Sequence, residues 1–179
     1  MLKIAIVGNI ASGKSTLEKI LEEKGFKVYD TDKIAHGILE YSDEVLKEFG
    51  TNNRKELAKI VFSDTEKLKI LESIIHPQVK DKLLNIFKTE ENIVFVSVPQ
   101  LFEAGFEELF DKIIYITANE NIRKERLIKR NSFTPEEAQR RINAQNEDDK
   151  KEKADFVIEN NSSLEILHNN LKKILNQLI

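Results

Sequence analysis

The stretch Gly8-Asn9-Ile10-Ala11-Ser12-Gly13-Lys14-Ser15 reads G-x-x-x-x-G-K-S, the residue pattern of a phosphate-binding loop. The chemistry accounts for the spacing. Gly8 and Gly13 let the backbone turn where a side chain would clash. Successive N–H groups then point inward and cradle an anion. Lys14 opens a helix whose positive dipole end faces that anion. Its ammonium can reach the β- and γ-phosphates of a nucleotide, and the Ser15 hydroxyl can take a place on Mg²⁺.

Two further groups have residue types that suit such a ligand. Asp30-Thr31-Asp32 closes the apolar run Phe26–Tyr29. In a doubly wound sheet the ligand crevice lies at the carboxyl ends of the strands, where both acids and the loop would sit. Catalysis and helix capping both remain open for the pair, since Thr31 or Asp32 can cap a helix from Lys33 to about Phe49. The other group is basic. Five of the six arginines are Arg123, Arg126, Arg130, Arg140 and Arg141, in a chain that otherwise uses lysine. The first three share one helical face. Arginine's planar fork suits phosphate oxygens better than an ammonium does, so a phosphate-clamping lid is favoured over a solvated hairpin.

These residues need elements to position them. Leu2–Val7 is a short apolar run of strand type, and Leu17, Ile20 and Leu21 recur at helical spacing after the loop, which gives the strand–loop–helix setting the pattern requires. Gly25 stops the helix, and Phe26–Asp30 reads as a second strand. From Arg54 to Lys88 the pattern is helical throughout, after the turn Gly50-Thr51-Asn52-Asn53. Pro77 is expected to kink or restart that helix; His76 before it reads as a helix-end residue. A helical block between two core strands is where a substrate subdomain would sit. Ile93–Val98 is the most apolar strand and is expected to be central. It ends at Pro99 without a Walker B aspartate. Leu101-Phe102-Glu103 is expected to open a short helix. Lys112–Thr117 and Asp155–Glu159 are the fourth and fifth strands. Thr134, Pro135 and Glu137 form an N-cap with a capping box, which divides the Arg-rich block into two helices. Ser162 or Ser163 caps a closing amphipathic helix. Strands alternating with helices predict a parallel α/β sheet.

Composition narrows the function. A chain of 179 residues is long enough for one domain with a substantial core. A net charge of −3 gives no global basic field for nucleic acid. The lack of cysteine excludes disulfides, thiol catalysis and Cys-ligated metal. No apolar run approaches a membrane helix, and the N-terminal run yields too soon to the Gly-Lys loop for a signal peptide. A cytoplasmic location follows by elimination.

Taken in order, the motifs resemble those of the dephospho-coenzyme A kinases, nearly end to end. The family's T-G-G-I-G-S-G-K-[ST] is similar to Val7–Ser15, with Asn9 and Ala11 where the family usually has glycine. Its D-A-D resembles Asp30-Thr31-Asp32, and its H-P is His76-Pro77. Its V-P-L-L-F-E resembles Val98–Glu103, and its R-L-x-x-R is Arg126–Arg130. R-I-x-x-Q follows as Arg141–Gln145, and A-D-x-V-I-x-N-N as Ala154–Asn161.

The resemblance implies a P-loop NTPase fold: α/β, with a five-stranded parallel sheet flanked by helices in a single kinase domain over 1–179. It implies a helical substrate-binding insertion over 33–90 and a mobile, Arg-rich lid over 119–148. The implied reaction is ATP-dependent phosphorylation of the ribose 3′-hydroxyl of dephospho-CoA, the last step of coenzyme A synthesis. ATP and Mg²⁺ are then the cofactors and dephospho-CoA the acceptor, with no nucleic acid, membrane or obligatory protein partner. Asp32 becomes the base, assisted by Lys14 and Arg141. Nucleotide contacts fall to Gly8, Ala11, Ser12, Gly13, Lys14, Ser15 and Thr16, with Arg126, Arg130 and Asn160. Ser15 and Asp30 are assigned to the metal. Two rivals stand beside this reading. A kinase of nucleoside monophosphates or of another small alcohol would share the loop, insertion and lid. A different class is a nucleotide-dependent switch or binding module, such as a GTPase, but the guanine motif N-K-x-D and a Walker B strand are both absent.

Overall fold

The computed structural model describes residues 1–145 and 148–178. The chain separates into two compact units, Asp30–Glu91 with Met1, and Leu2–Tyr29 with the chain from Asn92 onward. Five strands, β1 (Leu2–Gly8), β2 (Lys27–Asp30), β3 (Ile93–Ser97), β4 (Lys112–Thr117) and β5 (Phe156–Glu159), form one sheet in the order β2-β3-β1-β4-β5. The pairings of β1 with β3, β1 with β4 and β4 with β5 are parallel, with Ile4 opposite Phe95 and Ile6 opposite Ile114. The central strand is therefore β1, and the expectation of a central Ile93–Val98 is corrected. Both β1 and β3 are buried at successive positions, hence on both faces, so both carry near-continuous apolar runs. Hydropathy cannot rank two such strands.

In the helical unit, α1 (Lys14–Glu23) being already past, the chain forms α2 (Thr31–Glu40), α3 (Asp43–Phe49), α4 (Arg54–Phe62) and α5 (Thr65–Thr89). Its boundaries follow caps that compete with helical continuity. Asp30 caps α2 by accepting the Asp32 N–H at 2.8 Å, so the cap is neither Thr31 nor Asp32. Ser42 accepts the Val45 N–H and splits the run expected as one helix from Lys33 to Phe49. Asn53 and Asp64 cap α4 and α5 in the same way. The break in the long helical block thus falls at Ser63-Asp64, and α5 runs through Pro77 without a restart. Proline deprives the Ser73 carbonyl of its helical donor, but Ser73 and Pro77 are both exposed, where solvent can serve that carbonyl. Ile75, Val79, Leu83 and Phe87 form the buried stripe of α5, the helix on which α2, α3 and α4 pack.

After β4 come α6 (Glu120–Asn131), α7 (Pro135–Asn143), α8 (Asp148–Glu152) and α9 (Leu164–Leu178). The capping box is present, with Thr134 and Glu137 each accepting the other's backbone N–H. Of the region 119–148 expected as a lid, residues 146 and 147 lie outside the described residues. Ser163 is the residue that caps α9, its hydroxyl accepting the Ile166 N–H. Leu17, Ile20 and Leu21 of α1 share one core with Leu167, Leu171, Ile174 and Leu175 of α9 and with Ile4, Ile6, Phe95, Ile114, Ile116 and Ile158 of the sheet. The alternation within each strand selects the face that these two helices cover. No helix forms at Leu101-Phe102-Glu103. Isolated turns join the buried Leu101 to the buried Phe106, with the Phe106 N–H on the Leu101 carbonyl at 3.0 Å. A short 3₁₀ turn follows at Glu107–Leu109. Among the described residues no helix is long and apolar enough to cross a membrane.

Pro77→Ala restores a backbone donor inside a helix that is already continuous, and alanine is favoured there by up to about 3 kcal/mol. The variant should melt several degrees higher than the parent in a thermal scan. A lower midpoint would mean that the proline ring itself carries packing.

Candidate active site

The loop between β1 and α1 owes its shape to close approach. A Cβ on Gly8 would lie 2.6 Å from Ile116 Cγ2, and one on Gly13 would lie 2.1 Å from Asn160 Nδ2. Gly13 also has φ of +103°, a conformation that side chains disfavour. The two departures from glycine have distinct consequences. Ala11 adopts φ of +60°, so the left-handed turn persists at a cost of about 1–2 kcal/mol. Asn9 is buried, and its Oδ1 accepts the Tyr115 hydroxyl at 2.5 Å, tying the start of the loop to β4.

Lys14 does not extend into solvent. Its Nζ donates to Glu18 Oε1 at 2.9 Å and to Ser97 Oγ at 2.5 Å. Both ends of the Lys14–Glu18 pair are largely buried. Ser97 ends β3, the strand that lacks a Walker B aspartate, and puts a neutral hydroxyl beside the ammonium. Ser15 and Thr16 begin α1 with exposed side chains.

The far end of the chain closes on the loop's carbonyls. Arg126 Nη1 donates to the Ala11 carbonyl at 3.1 Å and to the Ser12 carbonyl at 3.2 Å, and Nη2 donates to the Asn160 carbonyl at 2.9 Å. Asn160 Nδ2 donates to the same Ser12 carbonyl at 2.8 Å. Burial pushes the Arg126 guanidinium below its ordinary pKa, although a guanidinium remains charged at neutral pH. Beside these groups is a cavity of about 480 Å³, lined by Gly13, Thr16, Arg126, Arg130, Asn160 and Ser162 among others. The three arginines of α6 thus diverge. Arg123 is buried, Arg126 grips the loop, and Arg130 is exposed at the cavity. Arg141 lies over the Phe133 ring, 4.4 Å from its centroid.

Asp30 and Asp32 belong to the helical unit. The Asp30 carboxylate makes the cap, and Asp32 contributes its backbone N–H to it. The exposed Asp32 carboxylate is therefore not the capping group. Among the described residues no cluster of three or more acids or histidines could hold a metal ion by itself.

A family model described as dephospho-CoA kinase matches residues 2–165. The chain belongs to the dephospho-CoA kinase family. A curated dephospho-CoA kinase from Listeria innocua is 40% identical over 179 residues, covering 90% of each chain. A solved structure from Thermus thermophilus superimposes with a TM-score of 0.87 at 36% identity, covering 99% of this chain and 98% of the other. That of dephospho-CoA kinase from Campylobacter jejuni has a TM-score of 0.74 at 32% identity, covering 98% and 96%. The fold is the P-loop NTPase fold, as the family resemblance implied.

In this family member the sheet unit brings together the loop from Gly8 to Thr16, Arg126, Arg130 and Asn160. Three residues with evident partners there were not among the sequence candidates. Glu18 lies one helical turn beyond Lys14, a spacing that pairs opposite charges on a helix. Ser97 closes β3, the strand that lacks a Walker B aspartate. Gln145 accepts the Ile10 N–H at 2.8 Å, and only its place in R-I-x-x-Q marked it.

Gly13→Ala and Gly25→Ala both put a methyl at positive φ, but Gly25 has nothing within 4 Å of the added carbon. Gly25→Ala should cost about 1–2 kcal/mol from backbone strain alone. Gly13→Ala should cost clearly more, read as a larger fall in melting temperature, because Asn160 must leave the Ser12 carbonyl. Equal losses would show that Asn160 moves aside freely.

Proposed function

We propose that the chain transfers a phosphoryl group from ATP to the ribose 3′-hydroxyl of dephospho-CoA. The observation that carries this reading is family membership across nearly the whole chain, combined with a phosphate loop whose glycines are both required by close contacts. Bound ATP would supply the electrophilic γ-phosphoryl, and Mg²⁺ would neutralise charge on the phosphate oxygens.

The residues present fit both groups. Loop amides and the start of α1 offer N–H donors to phosphate. The cavity beside Gly13 offers polar and cationic lining from Arg126, Arg130 and Asn160. For the metal, Ser15 supplies a hard hydroxyl oxygen and Asp30 a carboxylate that could act through water. Mg²⁺ is commonly held by one or two protein oxygens together with substrate phosphates and waters, so it does not require an all-protein cluster. Lys14 exchanges Glu18 and Ser97 for phosphate oxygens, stabilising charge as the bond to the γ-phosphoryl breaks. Arg141 adds positive charge after leaving the Phe133 face. Asp32 accepts the proton of the acceptor hydroxyl, which is a poor nucleophile at neutral pH. The region 33–90 binds the acceptor, and 119–148 acts as the lid.

An ADP-release assay with dephospho-CoA, AMP and adenosine as acceptors tests the substrate. Turnover should be confined to dephospho-CoA; preference for AMP would replace this reading with that of a nucleoside monophosphate kinase. Lys14→Ala should fold normally, since alanine is well tolerated in a helix, yet lose nearly all turnover. Asp32→Asn should lower turnover by roughly 10²–10⁴-fold, the range for loss of a general base, with ATP affinity little changed. Turnover within about threefold of the parent, well short of that range, would remove Asp32 from the chemistry. Lost ATP binding would move it to the metal site.

A further inference from the structure

The α6–α7 hairpin and the phosphate loop are joined at several points. Ile10 and Ala11 pack against the hairpin's apolar seam of Leu127, Ala138 and Ile142. Arg126 holds the carbonyls of Ala11 and Ser12. The last tie is Gln145, just beyond the end of α7, whose Oε1 accepts the Ile10 N–H at 2.8 Å. The same peptide unit is held at its other end, because the Asn9 carbonyl accepts the Ser12 N–H at 3.0 Å. With N–H and C=O of one peptide both engaged, that peptide plane cannot rotate without breaking a hydrogen bond. Ala11, in its disfavoured left-handed conformation, follows immediately.

We propose that Gln145 is a positioning residue for the nucleotide. By accepting the Ile10 N–H it fixes the Asn9–Ile10 peptide and so keeps the loop in its anion-binding shape, including the turn at Ala11 that glycine would make without strain. The end of the hairpin is then part of the phosphate site before any nucleotide arrives. Gln145 touches no reacting atom, so its effect falls on the affinity for ATP rather than on the chemical step. The inference rests on the reading of Gly8–Ser15 as the site for ATP phosphates.

The test compares the full-length parent, Gln145→Ala and Gln145→Glu. ATP binding is measured by calorimetry, KM and kcat by ADP release, and exchange of the Ile10 amide by NMR. A neutral hydrogen bond of ordinary strength corresponds to a change of about 2- to 10-fold. Gln145→Ala should therefore weaken ATP binding and raise KM for ATP by about that factor. Its kcat and its KM for dephospho-CoA should stay near the parent values, and Ile10 should exchange faster. Gln145→Glu keeps the accepting oxygen and should keep Ile10 protected. The inference is overturned if Gln145→Ala binds ATP as the parent does with unchanged Ile10 exchange. It is equally overturned if Gln145→Glu loses as much Ile10 protection as Gln145→Ala. A parent chain that does not bind ATP at all would overturn the reading of the loop, and the positioning role with it.

Discussion

A loop that offers its N–H groups to an anion must turn carbonyls the other way, and those carbonyls need donors where water is scarce. The Ser12 carbonyl meets this constraint with two donors, Asn160 Nδ2 and Arg126 Nη1, and the Ala11 carbonyl shares the second. Much of the sheet unit's architecture follows. Asn160 comes directly after β5, and Arg126 lies in the helix after β4. They reach the loop because β4 lies beside β1 and β5 beside β4. A different strand order would leave the back of the loop without these donors. The A-D-x-V-I-x-N-N and R-L-x-x-R motifs, far from the loop in sequence, are in this sense parts of the loop.

The charges follow a similar economy. Lys14 is held between a carboxylate and a hydroxyl, so its ammonium is aimed and partly neutralised before a ligand arrives. In the proposed reaction, phosphate would take the place of these partners, and the ammonium would not have to come in from water. Ser97 offers the ammonium a hydrogen bond without adding a second negative charge to the anion site, which a Walker B aspartate at that position would do.

Features governed by neighbouring residues could be read from the sequence. The strand–loop–helix around Gly8–Ser15, the Thr134–Glu137 capping box and the span Lys112–Thr117 all depend on contacts a few positions apart. Features governed by contacts across the chain could not. The rank of β1 over β3 depends on which neighbours each strand acquires. The cap at Asp30, where Thr31 or Asp32 looked as suitable, was decided by where β2 ends. Pro77 does not break α5, because the penalty of a helical proline depends on whether the orphaned carbonyl is exposed. Gln145 on Ile10, Tyr115 on Asn9 and Ser97 on Lys14 are side-chain meetings between distant segments, and no local period announces them.

The sheet unit is discontinuous, with Asp30–Glu91 lying between its two parts, and this sets an order of events during synthesis. The strand made first, β1, is the central one, and its register partners begin only at Ile93 and Lys112. While it waits, the helices from α2 to α5, whose packing is among near neighbours in sequence, have already emerged. Local helical contacts form rapidly, whereas parallel pairing must first close a long loop. The nascent chain therefore carries an assembled helical segment and an exposed, wholly apolar Ile4-Ala5-Ile6-Val7 at the same time. The phosphate loop, which begins where β1 ends, is made before either register partner of β1 and acquires its shape only after both have arrived.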